Sequence, residues 1–234
     1  MTKRGKPELL LLHALPLDGS MWSAQMELLP GRTYAPTLYP LGDRIETWAA
    51  EVLRLVKGDR LIVVGCSVGG SCALEVAAAV PDRVAALVLI GTKAQHRPDA
   101  ALHASVLDTL EGQGLEEAWR LFWAPLLSDT VSIHAIREAR RIALSQSPHE
   151  VARGVSVFHS RPSRDQVLST FPGPVIVVTG EDDNLPGLKT SAAQADSARN
   201  GSLYVVPGCG HYVPLERPEI FNSIMRDVIA DHRS

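Results

Sequence analysis

The chain holds only three cysteines, at positions 66, 72 and 209, and no two of them have the C-x-x-C spacing of a zinc or redox site. Three thiols scattered through apolar text cannot form a disulfide framework and suit a reducing compartment. Neither sign of charge dominates: 23 Lys and Arg against 26 Asp and Glu leave a formal net charge of −3, so nothing draws the chain to a phosphate backbone and nucleic acid is not an expected partner. Nor does any apolar run approach the ~18 residues of a membrane span. The opening MTKRGKPELLLLHALPLDG has the basic Lys3, Arg4 and Lys6 of a signal peptide before a leucine run. His13, Pro16 and Asp18 cut that run short, however, and no small-residue cleavage site follows. Repeats and low-complexity tracts are also absent. The expectation is a soluble cytoplasmic protein. With 234 residues, 45% hydrophobic and 21% charged, it is one large domain or a core with an insertion.

Short aliphatic runs recur at 8–15, 32–38, 60–65, 84–91, 174–180 and 202–208. They are continuous rather than alternating, as in strands covered on both faces, which marks a parallel sheet. Helical patterns at 22–29, 46–57, 70–80, 186–199 and 218–232 separate most of them, giving an α/β sheet with helices on both sides. Between Lys93 and Thr170 there is no convincing strand, only helix-like text such as 115–127, 132–146 and 149–158. The expected division is a core of residues 1–92 and 171–234, with 93–170 as a helical insertion over one end of the sheet.

The third run ends in VGCSVGGSC. A phosphate loop would need a lysine where Ser71 stands, and a dinucleotide fingerprint would need G-x-G-x-x-G, which is not there. Gly65-Cys66-Ser67-Val68-Gly69 does match G-x-S-x-G, the tight strand-to-helix turn that lifts a nucleophile out of the sheet. Glycines two before and two after relieve the crowding of such a turn, and the helix that follows aims its N-terminal N–H groups at the serine.

A serine hydroxyl needs a base, and the base needs a carboxylate to hold its tautomer. In the chain order of this turn type, acid then histidine follow later strands. Asp183, three residues past the run ending at Gly180, is preferred over Asp182, the alternative being a helix cap. His211, in GCGHYVPLERPE after the last run, is the expected base, and the other seven histidines lack that placement. The backbone N–H groups of Val68 and of Leu15, in the loop after the first run, are the expected oxyanion donors.

With these residues assembled, the chain resembles the α/β-hydrolase superfamily over nearly its whole length, through HALPLDGSMW, GCSVGG, PDRVAALVLIG, VIVVTGEDD and GCGHYVPLERPE. It is most similar to the small capped members, which include enol-lactonases, carboxylesterases, carbon–carbon bond hydrolases and cofactor-free haloperoxidases. The resemblance implies the α/β-hydrolase fold, a mainly parallel sheet of about six strands with a helical cap, and neither cofactor nor metal. Two departures stand out: His13-Ala14 replaces the usual His-Gly, and about seven residues precede the first strand, too few for the antiparallel hairpin that opens most members. Members that carry an aspartate nucleophile, the dehalogenases and epoxide hydrolases, are disfavoured by Ser67.

The expected function is hydrolysis of a small, largely apolar carboxylic ester or lactone through an acyl-enzyme on Ser67, His211 and Asp183. The alternatives are a perhydrolase or haloperoxidase, carbon–carbon bond hydrolase, lyase or acyltransferase on the same site, and, from another class, a ligand receptor on the hydrolase fold. Trp119, Phe122, Trp123 and Leu126 are candidate pocket residues, with core packing the equal alternative. Arg137, Arg140, Arg141, Arg153, Arg161 and Arg164 crowd the insertion; they read first as a solvated face and second as a site for a substrate carboxylate. Substrate identity and oligomeric state are not legible.

Overall fold

The computed structural model describes residues 5–232; Lys3 and Arg4 of the signal-like opening lie outside the described residues. Six strands form one sheet in the order β2-β1-β3-β4-β5-β6. They are β1 (Glu8–Leu12), β2 (Thr33–Tyr34), β3 (Leu61–Cys66), β4 (Val84–Ile90), β5 (Val175–Gly180) and β6 (Gly201–Val206). Every pairing is parallel, and no described strand precedes β1.

The continuous apolar runs earn their burial in the middle of the sheet, where all six residues of β3 and of β5 are buried. Leu9 to Leu12 of β1 are buried as well, each worth roughly 1.5–3 kcal/mol. The edges differ. β2 is two half-buried residues, and β6 leaves Tyr204 and Val205 exposed, because an edge strand has a neighbour on one side only.

Helices cover both faces. On one lie α1 (Ile45–Leu55), α2 (Val68–Ala79), α7 (Asp165–Thr170) and α8 (Leu188–Ser197), each packed on the next. On the other a 3₁₀ winding, Gly19–Leu28, packs against α9 (Val213–Glu216) and α10 (Pro218–Ala230). The periodicity at 22–29 predicts an α-helix; the tighter winding instead stacks Trp22 over Gln25, three residues apart, and buries both. Pro218 takes the first position of α10, where its missing N–H costs nothing.

Between β4 and β5 the described chain is helical: α3 (Ala100–Gly112), α4 (Leu115–Ala118), α5 (Ile133–Leu144), α6 (Pro148–Ser160) and then α7. The helix-like stretches at 115–127, 132–146 and 149–158 do not include α3, which Asp99 starts as N-cap by accepting the Leu102 amide at 2.9 Å. After α4 the chain widens into a π-helical turn, Trp119–Trp123, and tightens into a 3₁₀ turn, Ala124–Leu126. Among the described residues no helix is long and apolar enough to cross a membrane.

Candidate active site

The turn between β3 and α2 carries Ser67 at φ 54°, the one described non-glycine residue in the left-handed region. Such a backbone costs on the order of 1–3 kcal/mol and persists only where the surroundings enforce it. They do. The Ser67 amide donates to Ile90 O at 2.8 Å, and its carbonyl accepts from Gly70 N at 3.0 Å and from Thr92 Oγ1 at 3.2 Å. A Cβ on Gly65 would run into the backbone of Gly69, and one on Gly69 into the carbonyls of Leu12 and His13.

His211 comes from the loop after β6 and Asp183 from the loop after β5; both side chains are buried. His211 Nδ1 stands 3.0 Å from Asp183 Oδ2, while Asp183 Oδ1 accepts the Leu185 amide at 2.8 Å. A carboxylate oxygen can only accept here, so Nδ1 carries the hydrogen and Nε2 keeps its lone pair. Asp182 points elsewhere and accepts from Ser128 Oγ at 2.6 Å. Asp183 does not cap α8, whose N-cap is Gly187.

Ser67 and His211 line one cavity of about 870 Å³. The serine hydroxyl makes no hydrogen bond among the described residues and is open to the cavity. Leu15 also lines this cavity, and among the described residues the N–H groups of Leu15 and Val68 have no acceptor. The Leu15 loop is braced from three sides. His13 Nε2 accepts the Leu38 amide at 2.9 Å, Tyr39 donates to Leu17 O at 2.6 Å, and Tyr212 donates to Leu15 O at 3.1 Å. Burial lowers His13 to about 4, so it stays neutral and can accept from Leu38 while Nδ1 faces Ala14 O at 3.0 Å.

Of the four candidate pocket residues, Phe122, Trp123 and Leu126 line the cavity and Trp119 does not. Trp119 is buried in the core instead, because Leu121 to Trp123 present the widened turn to the cavity while the residue that opens the turn packs behind it.

Two contributors have no motif of their own. Gly91, at φ 54° beyond β4, leaves room for the imidazole: a Cβ there would stand 2.7 Å from His211 Cε1 and 2.8 Å from Nδ1. Glu216, buried, accepts the amides of Gly210 at 3.0 Å, Tyr212 at 3.1 Å and Ser128 at 3.0 Å, clamping the His211 loop to the helical segment above. An acid five residues past the histidine was the available signal. The neighbouring thiols do no such work. Burial raises Cys66 well above the ordinary thiol range and raises Cys209 too, so neither is a thiolate at neutral pH. No group of three or more His, Cys, Asp or Glu among the described residues is arranged to hold a metal ion.

The chain is similar to a pimeloyl-[acyl-carrier protein] methyl ester esterase of Aromatoleum aromaticum, 28% identical over 96% of this chain and 98% of that one. It is 25% identical to a 2-hydroxymuconate semialdehyde hydrolase of Pseudomonas putida, over 77% of this chain and 65% of the relative. Among solved structures, a thermophilic esterase from Thermogutta terrifontis superposes with a TM-score of 0.85 at 26% identity, covering 99% of this chain and 92% of that one. The enol-lactonase from Burkholderia xenovorans LB400 shares the fold at a TM-score of 0.84 and 18% identity, over 98% and 94%. The sequence pattern of the Alpha/beta hydrolase family matches residues 9–224, and with that span, this sheet and this turn the chain belongs to the alpha/beta hydrolase family.

Proposed function

We propose that the protein is a serine hydrolase of carboxylic esters or lactones. The observation that carries this reading is the 3.0 Å contact of His211 Nδ1 with Asp183 Oδ2, in a cavity that also exposes a serine held at φ 54°. Asp183 fixes the tautomer, so Nε2 of His211 takes the hydroxyl proton as Ser67 attacks the carbonyl carbon. The N–H groups of Leu15 and Val68 receive the charge that develops on the carbonyl oxygen, aided by the positive end of α2. His211 returns the proton to the leaving alcohol, and water activated by the same imidazole releases the acid.

Residues 93–170 act as the cap that selects the substrate, with Phe122, Trp123 and Leu126 against its apolar part. A volume near 870 Å³ lies toward the upper end of small-molecule sites and favours a medium-sized ester over the small one that the sequence suggests. Three free, buried cysteines favour a cytoplasmic setting.

Hydrolysis of p-nitrophenyl acyl esters tests the reading. Ser67→Ala lowers kcat by about 10⁶-fold, and a fluorophosphonate probe labels the wild type but not the variant. Near-normal turnover by Ser67→Ala would refute the serine mechanism.

A further inference from the structure

The six arginines of the helical segment separate by environment. Arg137 is exposed, Arg140 pairs with Glu116 at the surface, and Arg141 pairs with Glu138 at 2.6 Å. Arg153 reaches Tyr39 O at 3.4 Å, and Arg164 holds the buried Glu75 at 2.8 Å. Arg161 alone is buried, at 6% exposure, with no carboxylate in ion-pair contact among the described residues. Its guanidinium stacks 3.7 Å over the Phe158 ring and donates to Phe158 O, and Arg161 and Phe158 both line the cavity that holds Ser67.

An arginine taken out of water without a counter-ion is expensive, and one carbonyl and one ring face return only part of that cost. Most of the five N–H donors of the fork have no acceptor among the described residues. The neighbours add no negative charge beside it. His96 and His159 line the same wall, and burial holds both below the ordinary imidazole range, His159 at about 4. The acids on the cavity lining, Asp99 and Asp165, are exposed and make no ion pair with Arg161 among the described residues.

Building on the serine-hydrolase reading, we propose that Arg161 is the binding site for a carboxylate carried by the substrate, remote from the ester that Ser67 attacks. A planar fork on one permanent positive charge matches a carboxylate in bidentate fashion, and Arg161 is buried where Lys93 and Arg97, the other cations on the cavity lining, are exposed. Phe122, Trp123 and Leu126 supply apolar lining in the same cavity for the chain that joins the two ends. The substrate class is then a monoester, or the corresponding lactone, of a dicarboxylic acid.

The test compares mono-p-nitrophenyl adipate with p-nitrophenyl hexanoate, a neutral chain of equal length. The wild type prefers the carboxylate-bearing ester in kcat/KM, and Arg161→Met lowers the ratio of the two values by at least about 30-fold. Arg161→Lys, which retains a charge without the fork, gives an intermediate ratio. A ratio unchanged in Arg161→Met overturns the proposal, as does a wild type that prefers hexanoate, a result that needs no variant to fold. If the wild type cleaves neither ester, the hydrolase reading fails by itself. Arg161 is then decided by calorimetry with monomethyl adipate, bound by Ser67→Ala and lost from Ser67→Ala/Arg161→Met if the site is real, bound equally by both if it is not.

Discussion

Gly91 has φ 54°, and any side chain there meets the imidazole of His211 and, at 3.2 Å, Asp183 Oδ2. Both ring and carboxylate are buried and cannot swing away cheaply, so Gly91→Ala misplaces the imidazole, the base of the proposed mechanism, by a fraction of an ångström. We expect kcat to fall by about 100-fold with KM less affected, read by steady-state kinetics. Asp183→Asn keeps the shape but offers N–H where the ring needs an acceptor, and kcat drops about 10⁴-fold. Asp182→Asn disturbs only the bond from Ser128 and leaves kcat within about threefold. His13 acts through stability. Its folded value of about 4 lies below the ~6.5 of an unfolded imidazole, so between those values the unfolded chain binds a proton that the folded chain refuses. Stability therefore rises with pH across that window and falls as pH drops through it, by on the order of 3 kcal/mol from this group, levelling off below about pH 4. Urea midpoints from pH 7 to 4 measure the slope, which His13→Gln flattens.

At the scale of elements, the turn from β3 into α2 and the loop after β6 must be held in fixed relation. The first is held by packing: a Cβ on Gly69 would press the carbonyls at the end of β1, so Gly69→Ala either moves β1 or straightens the turn. A loss of about 1–3 kcal/mol follows, seen as a lower Tm together with lost activity. The second is held by Glu216. Glu216→Ala strands three buried N–H groups, at about 1–3 kcal/mol each, and frees the His211 loop. Glu216→Gln is milder, because one amide oxygen placed where Oε2 stands still accepts from Ser128 and Gly210. Denaturant melts rank the two variants, and the kcat of Glu216→Gln lies between those of wild type and Glu216→Ala.

For the whole molecule, the cavity between sheet and helices sets which esters fit. Val155, buried on α6, lines it, and Val155→Trp removes volume without adding charge. The prediction is a shift of the acyl-length optimum to shorter chains, measured across a p-nitrophenyl ester series from acetate to decanoate. An unchanged profile would place the acyl chain elsewhere.

How much of this was legible in the chain follows from the range of the forces involved. Buried parallel strands write themselves as unbroken apolar runs, and a left-handed serine demands small residues at fixed offsets, so β1, β3, β5, Gly65, Ser67 and Gly69 could be read directly. The order of acid and histidine was legible through the resemblance, and 28 positions between Asp183 and His211 became 3.0 Å only on folding. Gly91 carries no signature because its role is a contact with an imidazole more than a hundred positions away, and Glu216 has only its place five residues past the histidine, because the backbone N–H groups it accepts from are ones any sequence supplies. The aromatic cluster at 119–126 could not be divided into lining and core before the π-turn was seen. The six arginines were equivalent as letters. Only the tertiary structure decided that five face solvent or a protein partner and that Arg161 is buried without a counter-ion beside the serine's cavity, because burial and pairing belong to the fold and not to any stretch of sequence.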